Sequence, residues 1–246
     1  QAPRVPADTV FAAAGYAPSQ RSLWKRAATT CSGLIVIGGR TGSGKSTSQK
    51  AFIETLPGLE RRAVYTVEDP TEYEIAGAHQ TEVIRDTGDE EGTHRRYANV
   101  FKALMRADPD ACFIGEIRDR LTAGFALQMA QTGHLSVGTL HVHHLSSVAP
   151  RLCSPDVGLT RQALTGPGLL NLLVYQDLIP LLCDHCSLPA RGAGQGDPEV
   201  GDLTRLLEQR FKVPTQSLRF RHPQGCESCR WRGTQGRTVA AEMWQP

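Results

Sequence analysis

The chain has 246 residues, 40% of them apolar, 21% charged and 6% aromatic, an ordinary soluble, core-forming composition. Its formal net charge of +2 (27 basic against 25 acidic residues) excludes an electrostatic nucleic-acid footprint built on overall charge. The longest apolar stretch, "GLLNLLVYQDLIPLLC" (168–183), is interrupted by Asn171, Gln176 and Asp177. It also falls short of the ~20 residues a bilayer requires, so neither a signal peptide nor a membrane span is expected. The chain opens at Gln1 without a methionine, from which we expect a processed or excised fragment.

Residues 1–30 are loosely patterned around Pro3, Pro6 and Pro18, with a short helical candidate over 22–28. "GLIVIG" (33–38) is a continuous apolar run of strand length that meets glycines at once. "KSTSQKAFIETL" (45–56) sets Ala51, Phe52 and Leu56 on one helical face. A second strand, "RAVYTVED" (62–69), ends in two acids, and "DTGDEEG" (86–92) reads as an acidic, solvated loop. "RRYANVFKALMRA" (95–107) places Tyr97, Val100, Phe101, Leu104 and Met105 at helical spacing. "ADPD" breaks that helix, and "ACFIGE" (111–116) follows as the third strand. A helix over 122–131 and a fourth strand over 135–140, running into His141, complete the alternation. Strands and helices alternating at this length predict βαβ units and a parallel sheet. After about residue 150 the pattern reads as helical, most clearly over 169–178 beyond Gly166-Pro167-Gly168. "SLPARGAGQGDPEVGD" (187–202) reads as a mobile loop, and Leu203, Leu206, Leu207 and Phe211 predict a small helix beside it.

Gly39-Arg40-Thr41-Gly42-Ser43-Gly44-Lys45-Ser46 is a full G-x-x-x-x-G-K-[ST], placed between a predicted strand and a predicted helix. Glycines let backbone N–H groups curl around phosphate oxygens, and the helix N-terminus adds positive potential. Lys45 should reach the β- and γ-phosphates, while the Ser46 hydroxyl ligates Mg²⁺. Thr47 follows as the last residue of this cofactor-binding run. "VEDPTE" (67–72) supplies Glu68, Asp69 and Glu72 at the end of the second strand, a signal that exposed turn carboxylates could equally give. Glu116 ends the third strand. Strands of this type usually end in an aspartate that holds Mg²⁺, and here Gly115 stands in that place. Glu116 is then free to orient and deprotonate the attacking water, an effect typically worth ~10²–10⁴ in rate, with Gly115 removing a side chain that would crowd it. His134 and His141 bracket the fourth strand, where a packed structural histidine is the competing reading. His143 and His144 read as surface residues. The chemistry-bearing residues fall at the carboxyl ends of four consecutive strands, the edge where open α/β sheets bind ligands.

Four of the seven cysteines form Cys183-x-x-Cys186 and Cys226-x-x-Cys229. That spacing favours metal over disulfide in a reducing compartment, so a cytosolic protein is expected. Two such knuckles can present four thiolates to a closed structural Zn²⁺. A thioredoxin-like redox site needs one C-x-x-C, not two. Cys31, Cys112 and Cys153 read as buried thiols.

In order along the chain, "GGRTGSGKST", "TVEDPTE", "LMRADPDACFIGEIRD", "QTGHLSVGTLH" and "CDHC…GCESCRWRGTQGRT" resemble the secretion-ATPase superfamily of type II secretion and type IV pilus assembly. The resemblance runs from about Gly33 to Met243. It implies an α/β fold: a RecA-like P-loop NTPase core with a mainly parallel sheet, plus a small helical C-terminal part carrying a tetracysteine zinc appendage. The implied layout is a lead-in from a missing N-terminal domain over 1–32, the ATPase core over 33–152, and a helical region over 153–246 with the zinc appendage at about 180–232. The family assembles as a homo-hexamer with ATP bound between subunits, so the resemblance implies ATP, Mg²⁺ and Zn²⁺ as cofactors. It implies an inner-membrane platform protein as partner and a cytoplasmic location at the inner membrane.

By the same resemblance Glu116 matches the catalytic glutamate, Glu68, Asp69 and Glu72 the aspartate box, and His134 and His141 the histidine box. Two family arginines before D-P-D correspond to Lys102 and Arg106, and a third, in the final G-x-G-R-like stretch, to Arg237. Lys102 keeps the charge but not the bidentate fork. The histidine box continues Val142-His143-His144 where the family commonly has Thr-Asn-Asp. The tetracysteine element resembles assembly and export ATPases rather than retraction motors. Without the family's PAS-like domain, weak or nucleotide-dependent oligomerisation and low ATPase activity are expected. A conjugation-associated thin-pilus motor is an alternative setting for the same chemistry. A DNA-translocating P-loop ATPase with a zinc ribbon is another, kept open by Arg219, Arg221, Arg230, Arg232 and Arg237.

Overall fold

The structure, a computed structural model, describes residues 6–86, 88–190 and 198–246. The chain divides into two compact units: one runs to Leu178 and is rejoined by Val239–Pro246, and the other is Ile179–Thr238. Among the described residues the strands are β1 (Gly33–Gly39), β2 (Val64–Glu68), β3 (His79–Glu82), β4 (Ala111–Ile114), β5 (Leu135–His141), β6 (Leu170–Leu182), β7 (Leu188–Pro189), β8 (Arg219–Phe220) and β9 (Thr234–Trp244). Seven form one sheet in the order β3-β2-β4-β5-β1-β6-β9, while β7 and β8 pair antiparallel in the second unit. From β3 through β6 all neighbours are parallel.

Strand β1 lies between β5 and β6 and is buried along its whole length. Leu34 and Val36 point into one core, Ile35 and Ile37 into the other. A parallel strand covered on both faces needs this unbroken apolar run rather than an alternating one. One face carries helices α1 (Ala7–Ala14), α2 (Pro18–Thr30) and α3 (Lys45–Glu54), through Phe11, Trp24, Phe52 and Ile53. The other carries α4 (Glu90–Leu104), α5 (Arg120–Gln131), α6 (Val148–Leu152) and α7 (Arg161–Leu164), through Phe101, Met129, Leu152 and Leu164. Trp24 is fully buried, stacked on Phe11 at 4.9 Å and tilted against Phe52 at 5.2 Å. Truncating it to alanine would cost ~3–5 kcal/mol. The N-terminal helices are therefore packed into the first unit's core.

The expected helix over 169–178 is the strand β6, which pairs with β1 in the register Ile35↔Leu172, Val36↔Leu173 and Ile37↔Val174. A short leucine-rich run suits either period, and the deciding term is the edge of buried β1, whose amides would otherwise lack partners. Strand β3 has the polar sequence His-Gln-Thr-Glu and sits half exposed at the sheet edge, so it carries no apolar signal. The acids of 86–92 do not all lie in a loop: Asp89 caps α4 by accepting from Gly92 N (2.8 Å), and Glu90 and Glu91 occupy its first turn. There they complement the helix dipole. In the second unit the small helix α8 spans Pro198–Phe211. Of the glycine-rich 187–202, residues 191–197 lie outside the described residues. Among the described residues no helix is long and apolar enough to cross a membrane.

Candidate nucleotide-binding site

The phosphate loop joins β1 to α3. Gly42 and Gly44 have φ of 75° and 82°, a region side chains avoid. Gly39 is required for a different reason: a Cβ there would lie 2.3 Å from Ser43 Oγ and 2.5 Å from the Gln176 carbonyl. Lys45 Nζ donates to the carbonyls of Gly39 (3.1 Å) and Arg40 (2.8 Å), which fixes the ammonium inside the loop. Burial holds its pKa below the usual lysine range, partly offset by the negative charges of Glu116 and Glu72. Residues 41–47 of the loop and helix line a cavity of about 550 Å³.

The register of the sheet decides what else reaches that cavity. Gly39 is opposite His141, and Val67 is opposite Ile114, so β1, β2, β4 and β5 finish along one rim. Beyond β4 the chain stays clamped: Gly115 N donates to Val67 O and Ile117 N to Thr139 O, each at 2.8 Å. The Thr139 hydroxyl donates to Gly115 O. Glu116, held between these anchors, turns its carboxylate into the cavity that Lys45 also lines. Its oxygens lie 2.6 Å from Arg118 Nε and 3.5 Å from His141 Nε2. A Cβ on Gly115 would press on Glu68 Cα at 3.3 Å and Val67 O at 3.4 Å, so this glycine lets the ends of β2 and β4 approach.

The aspartate-box acids differ in their surroundings. Glu68 Oε1 accepts from Thr66 Oγ1 (2.5 Å) and Gln80 Nε2 (3.0 Å), ties that brace β2 against β3. Asp69 accepts from Arg85 N (3.1 Å) and Arg85 Nε (2.9 Å), with Arg118 at 3.7 Å. Glu72 is exposed at the cavity wall. Arg85 and Arg118 are site residues that the reading of the sequence misses. Arg118 stands inside the quoted "GEIRD", two residues past Glu116, and that position is the signal that could have found it. Arg85 has none, because the strand that delivers it is the polar β3.

Other sequence-derived candidates lie elsewhere. His134 sits at the amino end of β5, where its carbonyl accepts from Gly33 N (3.1 Å) and its Nδ1 is 2.8 Å from Thr132 Oγ1. Lys102, on the last turn of α4, and Arg106, just beyond it, are both exposed. None of the three lines the cavity. Arg237 belongs to the second unit. His143 and His144 are exposed.

In the second unit the sulfurs of Cys183, Cys186, Cys226 and Cys229 all lie within 4.8 Å of one another. Measured pairs are 3.9 Å (Cys183–Cys226), 3.9 Å (Cys186–Cys229) and 3.8 Å (Cys226–Cys229). A zinc tetrahedron with 2.3 Å bonds sets sulfurs ~3.8 Å apart, whereas a disulfide brings them to ~2.05 Å. The cluster therefore fits zinc. Cys226 N and Gly233 N each point at Cys229 Sγ from 3.1 Å, donors suited to a thiolate ligand. Nearby arginines are engaged within the unit: Arg219 donates to Ser187, Arg221 to the Arg232 carbonyl and Arg232 to the Cys229 carbonyl.

A mainly parallel sheet with a glycine-rich phosphate loop after its first strand, and carboxylates on the same rim, defines a P-loop nucleotide-binding protein. The chain belongs to the type II/IV secretion system protein family, which it matches over residues 4–246. Type II secretion system protein E of Dickeya dadantii is 36% identical over 211 residues, covering 86% of this chain and 38% of that protein. The type IV pilus assembly ATPase PilB of Thermus thermophilus is 32% identical over 229 residues, 93% of this chain and 24% of that protein. The chain thus spans well under half the length of these curated relatives. Among solved structures, the pilus retraction motor PilT with bound ADP aligns with a TM-score of 0.54 at 28% identity, over 73% of this chain and 50% of that one. The Legionella pneumophila ATPase DotB aligns with a TM-score of 0.53 at 22% identity, over 81% of this chain and 57% of that one, a likeness of fold alone.

Proposed function

We propose that this chain is the nucleotide-hydrolysing part of an ATPase motor that works in type IV pilus assembly or type II protein secretion. The observation that carries the reading is the convergence of Glu116, His141 and Lys45 on one cavity. The loop N–H groups and Lys45 hold the β- and γ-phosphates of ATP, and Ser46 supplies the hydroxyl for Mg²⁺. An ion held by Ser46 would supply charge neutralisation at the phosphates. Glu116 takes the proton of the attacking water, with Arg118 and His141 fixing its carboxylate. Asp69 holds the two arginines in place, and Glu68 and Glu72 complete the acidic wall. His134, Lys102, Arg106 and Arg237 are left out of this chemistry.

We assign the tetracysteine cluster to structural zinc: the four thiolates would hold the ion and tie the second unit together. The layout we propose is a lead-in over 1–32 that packs on an ATPase core centred on 33–152, and a region over 153–246 that contributes β6 and β9 to the same sheet before and after the zinc appendage. In the full-length protein we expect a homo-hexamer, cytoplasmic and peripheral to the inner membrane, acting on a platform protein. The test has two arms. Phosphate release from Mg·ATP, abolished by Lys45→Ala, supports the enzymatic part. Capture of the full-length protein's membrane partner separates secretion, pilus extension and conjugation. A DNA affinity falling steeply with salt, without ATP hydrolysis, would overturn the reading.

A further inference from the structure

We propose that Gln176 and Tyr16 form a buried relay that aims the phosphate loop, which makes the N-terminal helical pair a working part of the nucleotide site; this rests on the nucleotide-binding reading above. Gln176 lies on β6 and is fully buried. Its Nε2 donates to the Ser43 carbonyl at 2.8 Å, and its Oε1 accepts from the Tyr16 hydroxyl at 2.6 Å. Ser48 Oγ on α3 stands 3.0 Å from the same hydroxyl. Tyr16 has one hydrogen to give, spent on Gln176, so Ser48 is the donor in that contact. Three elements distant in sequence thus form one directed chain, from Ser48 through Tyr16 and Gln176 to Ser43.

The consequence follows from the planarity of the peptide unit. In a trans peptide the C=O of Ser43 and the N–H of Gly44 point in opposite directions. Gln176 holds the carbonyl from behind the loop and so turns the Gly44 N–H forward. Ser43 and Gly44 line the cavity, while Gln176 does not. Gly44 N–H is one of the donors a phosphate loop offers to phosphate oxygens. Gln176 also backs the loop elsewhere: a Cβ on Gly39 would lie 2.5 Å from its carbonyl, and one on Gly44 3.3 Å from its Nε2. A buried amide within a leucine-rich strand costs free energy unless its hydrogen bonds are met, and here both ends are met.

Tyr16 is itself fixed by packing. Helix α1 ends at Gly15 (φ 105°), and Tyr16 N then bonds back to Phe11 O at 3.0 Å. Its ring stands edge-on to Phe11 (5.4 Å) and Trp24 (5.9 Å). Burial raises its hydroxyl pKa to about 12, so it keeps its proton well into the alkaline range. Coupling between two sites is reciprocal. Nucleotide bound at the loop therefore tightens the seat of α1, and loosening α1 weakens nucleotide.

The experiment measures MgADP affinity by fluorescence titration in Tyr16→Phe, Gln176→Met and the double variant. Each single change should weaken binding about threefold to tenfold, the worth of one net hydrogen bond. The double variant should bind no worse than Gln176→Met alone. Hydrogen exchange over residues 7–16 should slow on adding MgADP to the wild type and not to Gln176→Met. Tyr16→Phe keeps the stacked ring and carries the test alone if Gln176→Met does not fold. Unchanged affinity in Tyr16→Phe, or additive losses in the double variant, would overturn the relay while leaving nucleotide binding intact. Failure of the wild type to bind MgADP would take down both readings.

Discussion

Arg118 Nε stands 2.6 Å from Glu116 Oε2, and the same guanidinium reaches Asp69 Oδ2 at 3.7 Å. One cation therefore ties the segment beyond β4 to the segment beyond β2, across the glycine that lets those strand ends meet. Arg118→Lys keeps the charge and loses the fork that spans both acids. We expect kcat for ATP to fall roughly tenfold or more, with KM within about threefold, because a misplaced base costs rate rather than ground-state binding. Steady-state kinetics decide this, and a raised KM at unchanged kcat would contradict it.

Gly39→Ala is a sterically defined change, since the new methyl would meet Ser43 Oγ and the Gln176 carbonyl well inside contact distance. We expect at least a tenfold loss of MgADP affinity, the consequence of displacing the loop amides by a few tenths of an ångström or more. Isothermal titration measures it directly, and wild-type affinity in a folded variant would remove the packing argument.

Cys229→Ser, or treatment with a strong chelator, should release the metal from the second unit and expose 179–238 to protease. Metal analysis should find one zinc per wild-type chain and none in the variant, because the cluster offers a closed ligand set. MgADP affinity should stay within about twofold, since every residue lining the nucleotide cavity belongs to the first unit. Loss of nucleotide binding together with the metal would refute that independence.

Tyr16 gives a pH signature. Burial raises its pKa from 10.0 to about 12. The native chain therefore keeps a proton that the unfolded chain gives up first. This contribution is complete below about pH 10 and is lost between pH 10 and 12. Over that window stability should fall by on the order of 2–3 kcal/mol more in the wild type than in Tyr16→Phe. Urea unfolding at pH 9 and 11.5 tests the difference. Parallel losses in the two proteins would contradict it.

Much of this architecture was legible in the residues themselves. The run "GLIVIG" into glycines gave both β1 and the phosphate loop because both signals are local: apolar continuity, then backbone freedom. Glu116 could be found because it ends an apolar strand. What local reading lost were features set by partners. Whether 169–178 becomes helix or strand depends on the open edge of β1, which the segment does not encode alone. With that strand misread, Gln176 looked like an interruption of an apolar run. Arg85 follows a polar edge strand, and Tyr16 reaches the phosphate loop through a residue 160 positions away in the chain. The two histidines that bracket β5 in sequence lie at its opposite ends, and of the two His141 is the one at the rim.

We propose that Glu116 and Lys45 serve one nucleotide, the first for chemistry and the second for binding. Single-turnover assays with Mg·ATP test it most directly, comparing bound nucleotide with released phosphate in the wild type, Glu116→Gln and Lys45→Ala. Glu116→Gln should retain ATP at near wild-type affinity while hydrolysis falls by ~10²–10⁴, and Lys45→Ala should lose binding itself. Hydrolysis by Glu116→Gln within a few-fold of the wild type would contradict it.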